Sequence, residues 1–185
     1  MNNTVICSFI GNDKNGLVEL LAKAISDSDG NWLESNMAKL AGHFAGIICI
    51  DIDESKIANL QTALDQLAKD GLAIQLSNSS HAFAREASSQ SAGQSTGQSA
   101  LQLDIVGNDR PGIVYEVSQA LVAAKINVVN MQTHLSSAPM SGDSLFHSTM
   151  SLSNEHDYDL DELEFQLDKI AERLSVEIDL GAQDE

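Results

Sequence analysis

GNDRPG at residues 107–112 and GNDKNG at residues 11–16 are near copies within one chain of 185 residues. Working outward at an offset of 96, Val5, Cys7 and Phe9 fall on Leu101, Leu103 and Ile105. That alternation of period two describes one buried face of a strand. Val18, Leu21 and Ile25 fall on Val114, Val117 and Leu121, with the i, i+3, i+7 spacing of an amphipathic helix. Asn31 falls on Asn127, and WLESNMAKL and VVNMQTHL each read as a second strand. The connection that follows is about four residues longer in the second half, around SSAPMSGDS.

A third strand matches Ile48, Ile50 and Ile52 with Ser148, Met150 and Leu152 at an offset of 100. A second helix matches Ile57, Leu60, Leu64 and Leu67 with Leu160, Leu163, Leu167 and Ile170 at an offset of 103, and a fourth strand sets Ile74 and Leu76 against Val176 and Ile178. The order is β-α-β-β-α-β, twice. This is an α+β chain of two ferredoxin-like domains, each a four-stranded antiparallel sheet with two helices on one face. The expected domains are residues 1–80 and 100–181, joined by a Ser/Gln/Gly-rich linker over 81–99 that has little to bury. Pairing or packing of the two sheets about a pseudo-twofold axis would cover surfaces that each half alone leaves open, and a homodimer would do the same between chains.

Two small domains of this size are marginal alone, so they are expected to support one another. The formal net charge is −17, and residues 86–185 hold 17 acidic side chains against 4 basic ones. Such a chain is repelled by a nucleic-acid backbone, which disfavours direct DNA binding. The acidic run after His156 reads as a solvated helix face. With no basic leader and no long apolar stretch, the expectation is a cytoplasmic protein without a membrane segment. Cys7 and Cys49 show no metal-ligand spacing and fall on opposite faces of their strands, so a disulfide between them is not expected.

In both copies the motif joins the first strand to the first helix. Gly11 and Gly107 leave the strand, Asp13 and Asp109 are placed as helix N-caps, and Gly16 and Gly112 fall in the first helical turn. Pro111 suits that first turn because it lacks an N–H. A capped turn needs no ligand. Yet a helix N-terminus also favours a carboxylate, while Asp and Asn can hold an ammonium, and a small amino acid carries both groups.

The hydrophobic strand followed by GNDRPGIV and then AKINVVNMQTH resembles the ACT domain, a module that senses amino acids and other small ligands. The resemblance is closer in the second half than in the first, where Lys14 and Asn15 replace Arg110 and Pro111. It implies a pocket where two such domains meet, from the β1–α1 loop and the start of the second strand. The matching positions are Asn12, Asp13, Gly16 and Asn31 in one half, and Asn108, Asp109, Gly112 and Asn127 in the other.

Two ACT domains with nothing else, in an acidic chain of this length, resemble the glycine cleavage system transcriptional repressor family. That resemblance implies a repressor answering to glycine or a similar small amino acid, needing no other cofactor, and acting through a DNA-binding activator protein of the LysR type. An enzyme is not expected, because Asp13, Asp109, His134, His147 and the cysteines form no nucleophile elbow or paired-carboxylate arrangement. His147 reads as an exposed or interface histidine, and His43 and His81 as loop residues. The alternative is a protein–protein interaction module whose loops bind nothing.

Overall fold

The computed structural model describes residues 2–69, 71–78, 99–138, 142–153 and 160–182. The first repeat runs β1 (Asn2–Asn12), α1 (Leu17–Asp27), β2 (Asn31–Leu40), β3 (His43–Asp53), α2 (Ile57–Lys69) and β4 (Ala73–Asn78). The second runs β5 (Ser99–Asn108), α3 (Ile113–Ala123), β6 (Asn127–Ser137), β7 (Ser144–Ser153), α4 (Leu160–Leu174) and β8 (Val176–Ala182). Strand β5 thus starts one residue inside the expected linker. The rest of that linker, His81, His156 and residues 139–141 of the insert lie outside the described residues.

All eight strands form one antiparallel sheet in the order β4-β1-β3-β2-β6-β7-β5-β8. The repeats join edge to edge: Ser35, Asn36, Met37 and Ala38 of β2 face Thr133, Gln132, Met131 and Asn130 of β6. This pairing removes the two edges that a lone repeat would expose at the join. The helices pack in a row, α2 on α1, α1 on α3 and α3 on α4, so α1 and α3 meet above the β2–β6 seam. One continuous core results, with Val5, Cys7, Leu21, Ile25 and Ile48 from the first repeat and Leu103, Val117, Leu121 and Met150 from the second. At the seam, buried Trp32 donates from Nε1 to Thr133 Oγ1 at 3.3 Å, and Ser35 Oγ lies 2.9 Å from the same atom. These bonds satisfy polar groups that would otherwise be costly to bury.

The strand registers correct two of the sequence alignments. Cys7 faces Ile48 and Leu103 faces Met150, so β3 maps on β7 at an offset of 102 rather than 100. Likewise Phe9 faces Ile74 and Ile105 faces Ile178, so Ile74 and Leu76 correspond to Ile178 and Leu180. The β2–β3 hairpin turns on Ala41 and Gly42, both with positive φ (50° and 76°), the conformation of a tight primed turn. Its counterpart carries six residues, 138–143, between β6 and β7.

Val176 instead occupies the place of Leu72. Each packs on a motif glycine: a Cβ on Gly11 would lie 3.0 Å from Leu72 Cδ2, and one on Gly107 would lie 2.8 Å from Val176 Cβ. That close approach explains why the first glycine is needed. Contrary to expectation, Gly11 and Gly107 remain inside β1 and β5.

Cys7 and Cys49 are free and buried, and Ile6, not Cys7, faces Cys49 in the β1–β3 ladder. Burial pushes both thiols up to about 11, so neither is a ready nucleophile. His43 opens β3 and is exposed, rather than lying in a loop. His147 is half-buried, stacked on His134 with ring centroids 4.7 Å apart, and its Nε2 lies 2.7 Å from Ser136 Oγ. Burial, then the neighbouring His134, lowers its pKa. On α4, Asp161, Glu162, Glu164, Asp168 and Glu172 are exposed, as a solvated acidic face requires.

Candidate functional site

Neither motif aspartate caps its helix. The N-cap residues are Gly16 and Gly112, in the left-handed region at φ 87° and 97°, and neither cap makes a side-chain hydrogen bond. A left-handed corner favours glycine over any residue with a Cβ, so the helix starts after the second glycine, three residues beyond the aspartate. Pro111 accordingly precedes the N-cap instead of lying in the first turn. The aspartates are held as the chain leaves the strand: Asp13 N–H donates to Gly42 O and Asp109 N–H to Ser144 O, both at 2.9 Å.

With no helix to cap, each carboxylate reaches across the seam into the other repeat. Asn31 Nδ2 donates to both oxygens of Asp109 at 3.1 and 3.0 Å, and Asn127 Nδ2 donates to both oxygens of Asp13 at 3.2 Å. Each aspartate therefore belongs with the other repeat's asparagine, Asp13 with Asn127 and Asp109 with Asn31. This crossing follows from topology. Edge pairing of β2 with β6 brings the start of each second strand under the other repeat's first loop. The irregularities between Trp32 and Glu34 and between Val128 and Asn130 lie at matching places, just after each asparagine.

Two small cavities flank the seam, each with room for about 10 Å³. One is lined by Asp13, Gly16, Phe44, Val122 and Asn127, the other by Asn31, Trp32, Arg110, Gly112 and Phe146. Each can hold about one water in this state, so a larger ligand must displace a side chain. Asn12, Asn108 and Asp109 do not line them: Asn12 and Asn108 close the β1–β3 and β5–β7 ladders opposite His43 and Leu145, and Asp109 meets the second cavity only through its bonds to Asn31.

The two sites differ in charge compensation. Lys39 Nζ lies 2.7 Å from Asp13, whose side chain is only 10% exposed, so the first site is closed by an ion pair. Among the described residues Asp109 has only the neutral Asn31 amide, and burial raises its pKa above the usual aspartate value, against the lowering effect of that hydrogen bond. Beside it, Asn31 Oδ1 and Arg110 Nε are buried without a hydrogen-bond partner among the described residues, an acceptor and a donor on residues that border the same cavity. Unmatched buried polar atoms are expensive, and a site that binds a ligand is a common reason to keep them. Sequence reading singled out neither Arg110 nor Lys39 as a site residue. The Arg110/Lys14 difference between the motifs was visible, but Lys39 stands at the far end of β2 with Leu135 as its counterpart.

Among known proteins, a family model described as the ACT domain matches residues 3–77. The match falls on the first repeat, the half whose loop departs further from the quoted signature. No curated protein sequence matches the chain. Among solved structures, aspartate kinase from Synechocystis is similar over 91% of this chain and 26% of its own, at 16% identity and a TM-score of 0.58, which is a likeness of fold. An unknown protein from Galdieria sulphuraria matches over 100% of both chains at 25% identity and a TM-score of 0.42. A structure titled as a candidate glycine cleavage system transcriptional repressor matches 100% of this chain and 99% of its own, at 16% identity and a TM-score of 0.41.

Proposed function

Because this chain carries an ACT domain over residues 3–77 and repeats its fold from Ser99, we propose that it is a regulatory protein answering to a small amino acid bound at the seam between its repeats. The observation that carries this reading is the Asp109 site: an uncompensated carboxylate beside an unpaired buried acceptor, Asn31 Oδ1, and an unpaired buried donor, Arg110 Nε. An α-ammonium matches Asp109 and Asn31 Oδ1. An α-carboxylate matches Arg110 and the first-turn amides of α3, which no N-cap side chain occupies. The Asn31 amide nitrogen, now on both Asp109 oxygens, marks where the ammonium goes, and entry of the ligand displaces it.

The finer reading is a repressor of glycine cleavage that acts through a DNA-binding activator protein rather than by binding DNA itself, and is not an enzyme. It rests on the resemblance of two ACT domains in one acidic chain to the glycine cleavage system transcriptional repressor family, and on a charge of −17 that opposes DNA contact. Among the described residues, no helix is long and apolar enough to cross a membrane.

Isothermal titration of the full chain with glycine, serine and alanine tests the site. One molecule per chain is expected, because Lys39 closes the Asp13 site. Lys39→Met leaves Asp13 without its ion pair and should raise the stoichiometry to two. No heat and no thermal shift at millimolar amino acid would remove the sensor reading for these ligands. Binding of one molecule that survives in Asp109→Ala would place the ligand elsewhere.

A further inference from the structure

A hollow of about 720 Å³ lies away from the seam, between α3 and α4. Its floor is apolar, with Ala120 and Ala124 of one helix facing Leu163 and Ile170 of the other. The small alanines leave space where two helices in contact would otherwise fill it. On the rim stand Lys125, Lys169 and Arg173. Lys169 Nζ sits 3.7 Å from the centroid of Phe165, whose ring is 54% exposed. The second half has only four basic residues among 17 acidic ones. Three of the four line this cleft, and the fourth, Arg110, donates to the Arg173 carbonyl at 3.0 Å. Two acidic residues share the lining: Glu116, paired with Arg173, and Glu162, which accepts from Gln166. The lining therefore carries net positive charge within a strongly acidic chain.

The first repeat shows that the fold does not demand this arrangement. At the matching positions Lys125 becomes Asp29, Lys169 becomes Gln66 and Ala123 becomes Asp27. Asp29 and Lys125 even share the same left-handed backbone, φ 58° and 59°, so the charge reverses on an unchanged scaffold. A mixed cleft of this volume, apolar at the base with a few charged groups at the mouth, has the character of a small-molecule site.

We propose that the α3–α4 cleft binds an amphipathic organic anion, its apolar body on Ala120, Ala124, Leu163 and Ile170 and its acidic group at Lys125 and Lys169. α3 and α4 pack on each other, so no third helix of about 10–12 Å diameter fits between them, whereas a hydrocarbon chain can lie on the apolar side chains that line the hollow. This site is independent of the seam, and its failure would leave the amino-acid reading untouched.

Sodium decanoate below its micelle concentration is the probe, titrated into the full chain and followed by amide chemical shifts. Saturable 1:1 binding is expected, with shifts on α3 and α4. Lys125→Glu/Lys169→Glu should weaken it by roughly tenfold or more, from two exposed charge contacts. Lys56→Glu, on the first repeat, should not change it. Both lysines are exposed on the surface, so the double variant should fold, as checked by its melting temperature. Ala120→Leu, which fills the slot, should abolish binding with the charges intact. Decyltrimethylammonium, of equal chain length and opposite charge, should not compete. Overturning results would be non-saturable binding, equal affinity in the double lysine variant, equal binding of the cation, or shifts confined to the open face of the sheet. Capture of an acidic helical peptide by this cleft without any binding of decanoate would likewise overturn the small-anion assignment.

Discussion

Asp109→Asn should weaken amino-acid binding by roughly 10- to 100-fold, the effect of losing a charge-assisted hydrogen bond of about 1.5–3 kcal/mol. Asparagine keeps the size and one acceptor, so a purely steric role would leave affinity almost unchanged. The same change at Asp13 should have little effect on binding, because Lys39 already neutralises that carboxylate. The pH dependence has a definite sign. Burial raises the folded-state pKa of Asp109, so the folded protein binds its proton more tightly than the unfolded chain does. Its contribution to stability is therefore greatest below the usual aspartate value and declines as pH rises through the raised one. Ligand binding runs the other way, since an ammonium needs the ionised carboxylate, and affinity should fall as pH drops through the same window. Asp109→Asn should abolish both slopes. An unchanged pH profile of binding in that variant would show that another group controls it.

Met37→Ala and Met131→Ala should each lower stability by about 2–5 kcal/mol, as large-to-small changes at fully buried sites do. The two side chains face each other in the β2–β6 ladder and are 1% and 0% exposed. Only four residue pairs join the strands there, so this contact is central to holding the repeats together. Trp32, the sole tryptophan, sits at the same seam and gives a local optical signal. In the double variant its fluorescence transition in urea should precede loss of helical circular dichroism, because the seam opens before the repeats unfold. The double effect should also be smaller than the sum of the single ones, since each substitution spoils the same contact. Coincident transitions with additive effects would show instead that the chain unfolds as one unit with no weak seam.

The apolar periodicities were enough to read six elements per half and the faces of β1, β5, α1 and α3, because a buried face leaves its period in the sequence. Register was less legible for a physical reason. Offsets of 100 and 102 both keep Ile48 and Ile50 on the helix side, and strand alternation is blind to a shift of two residues. Turn geometry decides between them, and in β6–β7 that turn is the longer segment 138–143. The motif aspartates were read as caps because a short acceptor before a helix usually is one. The left-handed glycine displaced that role and freed the carboxylates. Their pairing across the seam with Asn31 and Asn127 depends on two sheet edges meeting, a relation between distant elements that no local spacing records. Lys39 and Arg110 were hidden for the same reason: their importance lies in which neighbour each reaches.

The strand order also sets a minimum length for the segment between the repeats. From β4 to β5 there are six strand spacings, about 29 Å at roughly 4.8 Å per strand, and because the two strands run the same way the connection must also return along roughly a strand's length, so its ends stand about 40 Å apart. Residues 79–98 supply twenty positions, while about twelve fully extended residues would be the least able to span that distance. A deletion leaving fewer would put a chain's own second repeat out of reach of its first. Its β2 edge could then find only the β6 edge of another molecule, and gel filtration should show a domain-swapped dimer. Each Asp–Asn pair in that dimer would span two polypeptides, with the bonding unchanged and only the chain connectivity rearranged.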